Sequence, residues 1–353
     1  MVFRVDASRA VGLGHLMRGI ALAERLDERG VRTVFVTRES GEGDVVRGLL
    51  KGYDVEVLAA DIDLAADAAS TAARARRAGR ALVIKDLCHR DAVKEPEPLR
   101  AYHRALKAEG LEVVTVDDGA RIGEAADVVI DPYFRATPPA PPSGDATRWL
   151  LGPAYFIFRR EFVEAAAVRR DIRLVAMRVL VTIVGADPSG VTVRAARALT
   201  RLAAAGVEAK VVLAAGFAPE IEADVRAVAA RSAGRITCVR QPRSLAELMM
   251  WADVAITGEG LTKYETAVTG TPSLIVSQFE ADRARVDEFA RAGTTCHVGS
   301  ASRLSEEEIG DALQALLADA GRREEMSRKG RALVDGRGVD RVIASLFPEE
   351  HHR

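Results

Sequence analysis

Cysteine is scarce: 353 residues contain three, Cys88, Cys238 and Cys296, far apart and without a C-x-x-C spacing. That excludes a disulfide framework or a zinc site read from spacing, and a reducing cytoplasm is the expected setting. No excess of one charge exists either, since 50 Lys and Arg stand against 51 Asp and Glu, a formal net charge of −1. A surface that coats a polyanion is excluded and no nucleic-acid partner is expected, although one local phosphate site is compatible with this balance. Long apolar runs are missing too; the longest, around Val179-Leu180-Val181, have strand length and cannot span a membrane. The opening MVFRVDAS carries Arg4 and Asp6 and has no apolar h-region, so a cytoplasmic protein is expected. What is present is ordinary for a globular chain, 48% hydrophobic and 29% charged residues, at a length that suits two α/β domains better than one core.

Short β-branched runs alternate with Ala/Leu/Arg-rich helical stretches. Strands are expected at residues 2–5, 33–37, 55–58, 81–85, 113–116 and 128–130, with a helix through 18–29. Residues 136–145, ATPPAPPSGD, exclude helix or central strand because half of them are proline or glycine. A second alternation follows, with strands at 179–184, 209–214, 236–239, 254–257 and 273–276 and helices at 191–205, 245–251 and 261–269. The pattern predicts an α/β protein of two Rossmann-like halves, 1–165 and 166–353, each with a parallel sheet.

Ligands of open parallel sheets bind beyond the carboxyl ends of the strands, so the segments just after strands carry the chemistry. In Asp6–Arg18, DASRAVGLGHLMR, Gly12 and Gly14 permit a backbone turn and His15 opens a helix. The positive helix terminus favours a neutral imidazole, which can take a proton from water or a hydroxyl; helix capping is the plainer alternative. The spacing is not G-x-G-x-x-G and no acidic residue closes the second strand, which argues against a nicotinamide dinucleotide. Gly185-Ala186-Asp187-Pro188 either surrounds a phosphate or makes a structural strand–helix connection, with Asp187 as cap. In TGEGLTKYE, Gly258 and Gly260 expose backbone N–H groups and Thr262 adds a hydroxyl, a metal-free seat for a diphosphate. Glu265, one turn on, suits two ribose hydroxyls, or else pairs with a base such as Lys263 on the helix surface. Asp86-Leu87-Cys88-His89 and Asp117-Asp118 also follow strands, which makes Asp86 and Asp118 further candidates. The Asp pair lacks a third metal ligand, and Cys88 lacks an established base for thiol catalysis.

Six segments in order resemble the GT-B superfamily and, within it, the family of the UDP-sugar hydrolase of pseudaminic acid synthesis and the spore-coat SpsG proteins. They are D-A-S-x-x-V-G-L-G-H-L-M-R at 6–18, Val116-Asp117-Asp118, and residues 151–162 with Tyr155 and the Phe158-Arg159-Arg160-Glu161-Phe162 run. Gly185-Ala186-Asp187-Pro188, the turn and helix from Gly258 to Glu265, and Val334–Val342 complete the set. The resemblance implies two domains facing across a cleft, with a UDP-linked acetamido or amino sugar as substrate and no cofactor or bound metal. It implies His15 as the base that activates water, Asp86 and Asp118 as its catalytic companions, and Gly12, Gly14, Arg18 and Tyr155 as substrate contacts. Gly185, Asp187, Gly258, Gly260, Leu261, Thr262 and Glu265 would hold the nucleotide. The family's hydrolase has D-H-Y-G where this chain has Asp86-Leu87-Cys88-His89, without a tyrosine. Release of the sugar to water is the expected reaction; transfer to an acceptor hydroxyl, or binding without catalysis, are the alternatives.

Overall fold

Strands built from Val, Ile and Leu on successive positions cannot leave a face in water, and helices on both sides are the way to cover them. The computed structural model describes residues 1–348 except 9–12, 42, 80–81, 88–96, 117–124, 136–145, 184–186, 188, 215 and 281–282. Its contacts divide into two units, Met1–Arg159 with Arg337–Arg353, and Arg160–Gly336.

The first unit runs β1 (Val2–Val5), α1 (Gly14–Asp27), β2 (Val34–Arg38), α2 (Gly43–Leu49), β3 (Asp54–Leu58), α3 (Leu64–Arg77), β4 (Leu82–Asp86), α4 (Glu97–Ala108), β5 (Glu112–Val116), β6 (Val128–Asp131) and β7 (Arg148–Leu151), then a 3-10 turn at Pro153–Tyr155. The second runs α5 (Arg160–Ala167), β8 (Arg178–Thr182), α6 (Val191–Ala203), β9 (Glu208–Leu213), α7 (Pro219–Ala230), β10 (Ile236–Arg240), α8 (Leu245–Trp251), β11 (Val254–Gly258), α9 (Thr262–Thr269), β12 (Ser273–Ser277), α10 (Arg283–Arg291), β13 (Cys296–Ser300), α11 (Glu306–Ala318) and α12 (Ala320–Leu333). A last helix, α13 (Gly338–Leu346), returns to the first unit. The division read from the sequence had left that helix with the second.

The first sheet has the order β3-β2-β1-β4-β5-β6-β7 and the second β10-β9-β8-β11-β12-β13, all neighbours parallel. Strand order reverses between β1 and β4 in one and between β8 and β11 in the other. At such a switch point the two flanking loops diverge to opposite faces and open a crevice beyond the strand ends. The central strands β1, β4, β11 and β12 are buried at every position, as parallel strands covered on both faces must be.

Two strands were not expected from sequence. β7 is an edge strand of four residues, and β13 carries Gly299 and a register shift opposite Ile275/Val276, so neither shows a clean periodicity. The returning helix has its own requirement: a Cβ on Gly338 would lie 2.1 Å from the carbonyl oxygen of Phe156, so only glycine lets α13 approach that backbone. Val339, Val342, Ile343 and Leu346 then enter the first unit's core beside Leu16, Ile20 and Ile157.

Candidate active site

The first switch point gathers a histidine hydrogen-bonded to a carboxylate. Asp86 ends β4, and α1 begins at Gly14 directly opposite in the sheet order, with His15 as its second residue and Arg18 one turn on. His15 Nδ1 lies 2.6 Å from Asp86 Oδ1. Arg18 grips the same carboxylate with both prongs, Nε to Oδ2 at 3.0 Å and Nη2 to Oδ1 at 2.9 Å. Asp86 is 2% exposed and Arg18 4%, so these charges interact with little solvent between them. Burial by itself would raise the Asp86 carboxyl, but Arg18 and His15 outweigh it and bring it down to about 2. An ionised Asp86 assigns the imidazole proton to Nδ1 and the lone pair to Nε2, the tautomer a general base requires. Arg18 Nη1 also donates to the Tyr133 hydroxyl at 2.7 Å.

The second switch point is built from helix starts. Asp187 follows β8 in the left-handed region, φ 44°, and is fully buried. Its Oδ1 accepts the Val191 N–H at 2.9 Å and its Oδ2 the Thr192 N–H at 2.7 Å, so its carboxylate caps α6 from within. A third donor, Gln278 Nε2, reaches Oδ1 at 3.0 Å, while the Gln278 backbone N–H donates to Glu259 Oε2 at 2.8 Å. One hydrogen-bonded chain thereby ties the loops after β8, β11 and β12. Across the crevice, Gly258 ends β11, Glu259, Gly260 and Leu261 form the turn, and Thr262 begins α9, whose N-terminus no side chain among the described residues caps. The buried hydroxyls of Thr192, Thr257 and Thr262 have no hydrogen-bond partner among the described residues. Buried donors in that condition are satisfied by a ligand or by water. Glu265 lies half-buried in the first turn of α9, and Lys263 Nζ bonds the Glu259 carbonyl at 2.6 Å.

No family model matches the chain. It is similar to the spore coat polysaccharide biosynthesis protein SpsG of Bacillus subtilis (strain 168), 27% identical over 200 residues, 57% of this chain and 58% of the relative. It is also similar to an uncharacterized protein of Methanocaldococcus jannaschii, 27% identical over 154 residues, 43% of this chain and 32% of that one. The chain thus spans less than two thirds of the length of these curated relatives. Among solved structures it resembles Acinetobacter baumannii MurG, with a TM-score of 0.68 at 15% identity over 98% of this chain and 99% of that one. The Neisseria meningitidis UDP-GlcNAc 2-epimerase bound to UDP-GlcNAc gives 0.60 at 12% identity, over 99% and 100%. The fold is GT-B, and over 200 residues the sequence is similar to the SpsG protein.

On this GT-B frame the sequence-derived candidates separate into groups. His15, Asp86, Arg18 and Gly14 come together at the first switch point, and Asp187, Gly258, Gly260, Leu261, Thr262 and Glu265 flank the second. Tyr155 sits half-buried in the 3-10 turn, packed against the first unit's core. Gly12, Asp118 and Gly185, with Cys88 and His89, lie outside the described residues. Tyr133 and Gln278 were not singled out from sequence. Each follows a strand at the ligand-binding end of its sheet, and that placement was the signal that would have found them. No described helix is long and apolar enough to cross a membrane.

Proposed function

We propose that the chain is a nucleotide-sugar hydrolase of polysaccharide or nonulosonic-acid-type biosynthesis that cleaves the glycosyl–phosphate bond of a UDP-linked acetamido or amino sugar. The observation that carries this is the His15–Asp86 pair at the first switch point, held in the tautomer of a base. His15 Nε2 takes a proton from water, the water oxygen bonds to the anomeric carbon, and the C–O bond to the diphosphate breaks with its electron pair leaving on UDP. The second unit offers a seat for a diphosphate at the start of α9, with the Thr262 hydroxyl, and Glu265 would accept from ribose hydroxyls. The SpsG relative and the epimerase structure bound to UDP-GlcNAc support this assignment of substrate class.

The test is incubation with UDP-linked N-acetylated amino sugars in the absence of any acceptor. UDP and free sugar are expected together, and His15→Ala should lower the rate by about 10²–10⁴-fold while UDP still raises Tm. UDP release that requires an added acceptor would identify a glycosyltransferase instead. A His15→Ala rate equal to wild type would remove His15 from the mechanism.

A further inference from the structure

A carboxylate alone against an imidazole does two things at once: it fixes the tautomer, and it draws a second proton onto the ring. The first is useful in a base and the second disables it. At His15 the two are separated by a third group. Asp86 Oδ1 accepts from His15 Nδ1 at 2.6 Å and from Arg18 Nη2 at 2.9 Å, which places the guanidinium nitrogen 3.1 Å from the imidazole nitrogen. Among the described residues, an anion and a cation thus lie 2.6 and 3.1 Å from this ring nitrogen, and both are buried.

We propose that Arg18 sets the protonation state of His15: its guanidinium cancels the charge of Asp86, so that the carboxylate orients the imidazole without converting it to imidazolium. Arg18 is then a positioning residue rather than the substrate contact that the family resemblance implies. Its three nitrogens already donate within the protein, Nε and Nη2 to Asp86 and Nη1 to Tyr133. The Tyr133 phenol gives the guanidinium a third anchor, so its plane is held against the carboxylate. Other charged groups at this edge of the sheet, among the described residues, carry their own partners. Asp6 beyond β1 is bound by Arg4 at 2.5 Å, and Asp131 at the end of β6 by Arg135 at 2.7 Å. On α13, which packs on α1, Asp340 is bound by Arg25 at 2.8 Å. Lys85 precedes Asp86 in β4, and the pleat sends it to the opposite face of the sheet.

The inference rests on His15 as the base, yet its test reads the imidazole itself. Histidine C2–H resonances of the full chain are titrated by NMR, with the His15 signal assigned by its loss in His15→Gln. Arg18→Gln leaves Asp86 uncompensated and should move the His15 midpoint up by about 1–3 pH units. Arg18→Lys disturbs the same bidentate geometry but keeps the charge, and should hold the midpoint within less than half of that shift. Asp86→Asn leaves the guanidinium alone and should move the midpoint down, which keeps the proposal testable if Arg18→Gln does not fold. Equal upward shifts in the Gln and Lys variants would make the effect one of geometry and overturn the proposal, as would an unmoved midpoint in Arg18→Gln or Asp86→Asn. A midpoint that shifts as expected in a protein that hydrolyses no UDP-sugar would leave the charge-setting role standing and remove only the reaction.

Discussion

Asp86 receives three N–H donors from two cationic or potentially cationic side chains, and its buried carboxyl titrates near 2 instead of its ordinary 3.8. A carboxyl depressed in the folded state contributes stability that is complete above its unfolded value and is lost as the pH falls through the folded one. For Asp86 the window runs from about pH 4 down to about pH 2, and the contribution is roughly 2 kcal/mol. Urea unfolding of wild type and Asp86→Asn across that range should show wild type ahead at neutral pH and the gap narrowing by about this amount toward pH 2. A gap independent of pH would mean that Asp86 holds no depressed titration. At this scale His15, Arg18 and Asp86 could be named from their positions after strands, but not their mutual contact, because 68 residues separate Arg18 from Asp86 in the chain. Tyr133 lies 115 residues from the arginine it anchors.

At the scale of elements, the two helix starts flanking the second switch point differ. The N-terminus of α6 is filled from inside by Asp187, whereas no side chain among the described residues caps that of α9. The positive end left uncapped is the one equipped with Gly260 and Thr262. Asp187→Ala should destabilise the protein by about 1–3 kcal/mol, read as a fall in the urea midpoint with an unchanged slope, because two buried amides lose their acceptor. A change below a few tenths of a kcal/mol would contradict the capping role. The Asp187 carboxylate thus caps α6, the capping role that its position before Pro188 suggests in sequence. Elsewhere in the unit, Ser277 Oγ lies 2.9 Å from His297 Nε2, and His297 Nδ1 lies 2.6 Å from Asp287. The connectivity is that of a nucleophile relay, but Ser277 is 0% exposed, so the chain serves to link β12, β13 and α10.

For the whole molecule, the returning helix is the informative element. Truncation after Gly336 removes Val339, Val342, Ile343 and Leu346 from the first unit's core, each worth about 1.5–3 kcal/mol when fully buried. Hydrogen exchange should show protection lost across residues 1–159 and largely kept across 160–336. Uniform loss in both units, or none, would contradict this assignment of the helix.

The α/β class, the strand–helix alternation and the position of glycine turns after strands were all determined by the chain itself, since they rest on local periodicity and on backbone conformations particular to glycine. So were His15, Asp86 and the Gly258–Thr262 turn as candidates, because a parallel sheet presents chemistry where its strands end. Tertiary structure decided the rest. Strand order set which ends adjoin, joining Asp86 to His15 across β1 and β4. The same order brought Gln278 onto Asp187, and close packing at Gly338 carried the final helix back to the first unit. Those outcomes depend on contacts between segments far apart in the chain, where sequence spacing carries no distance.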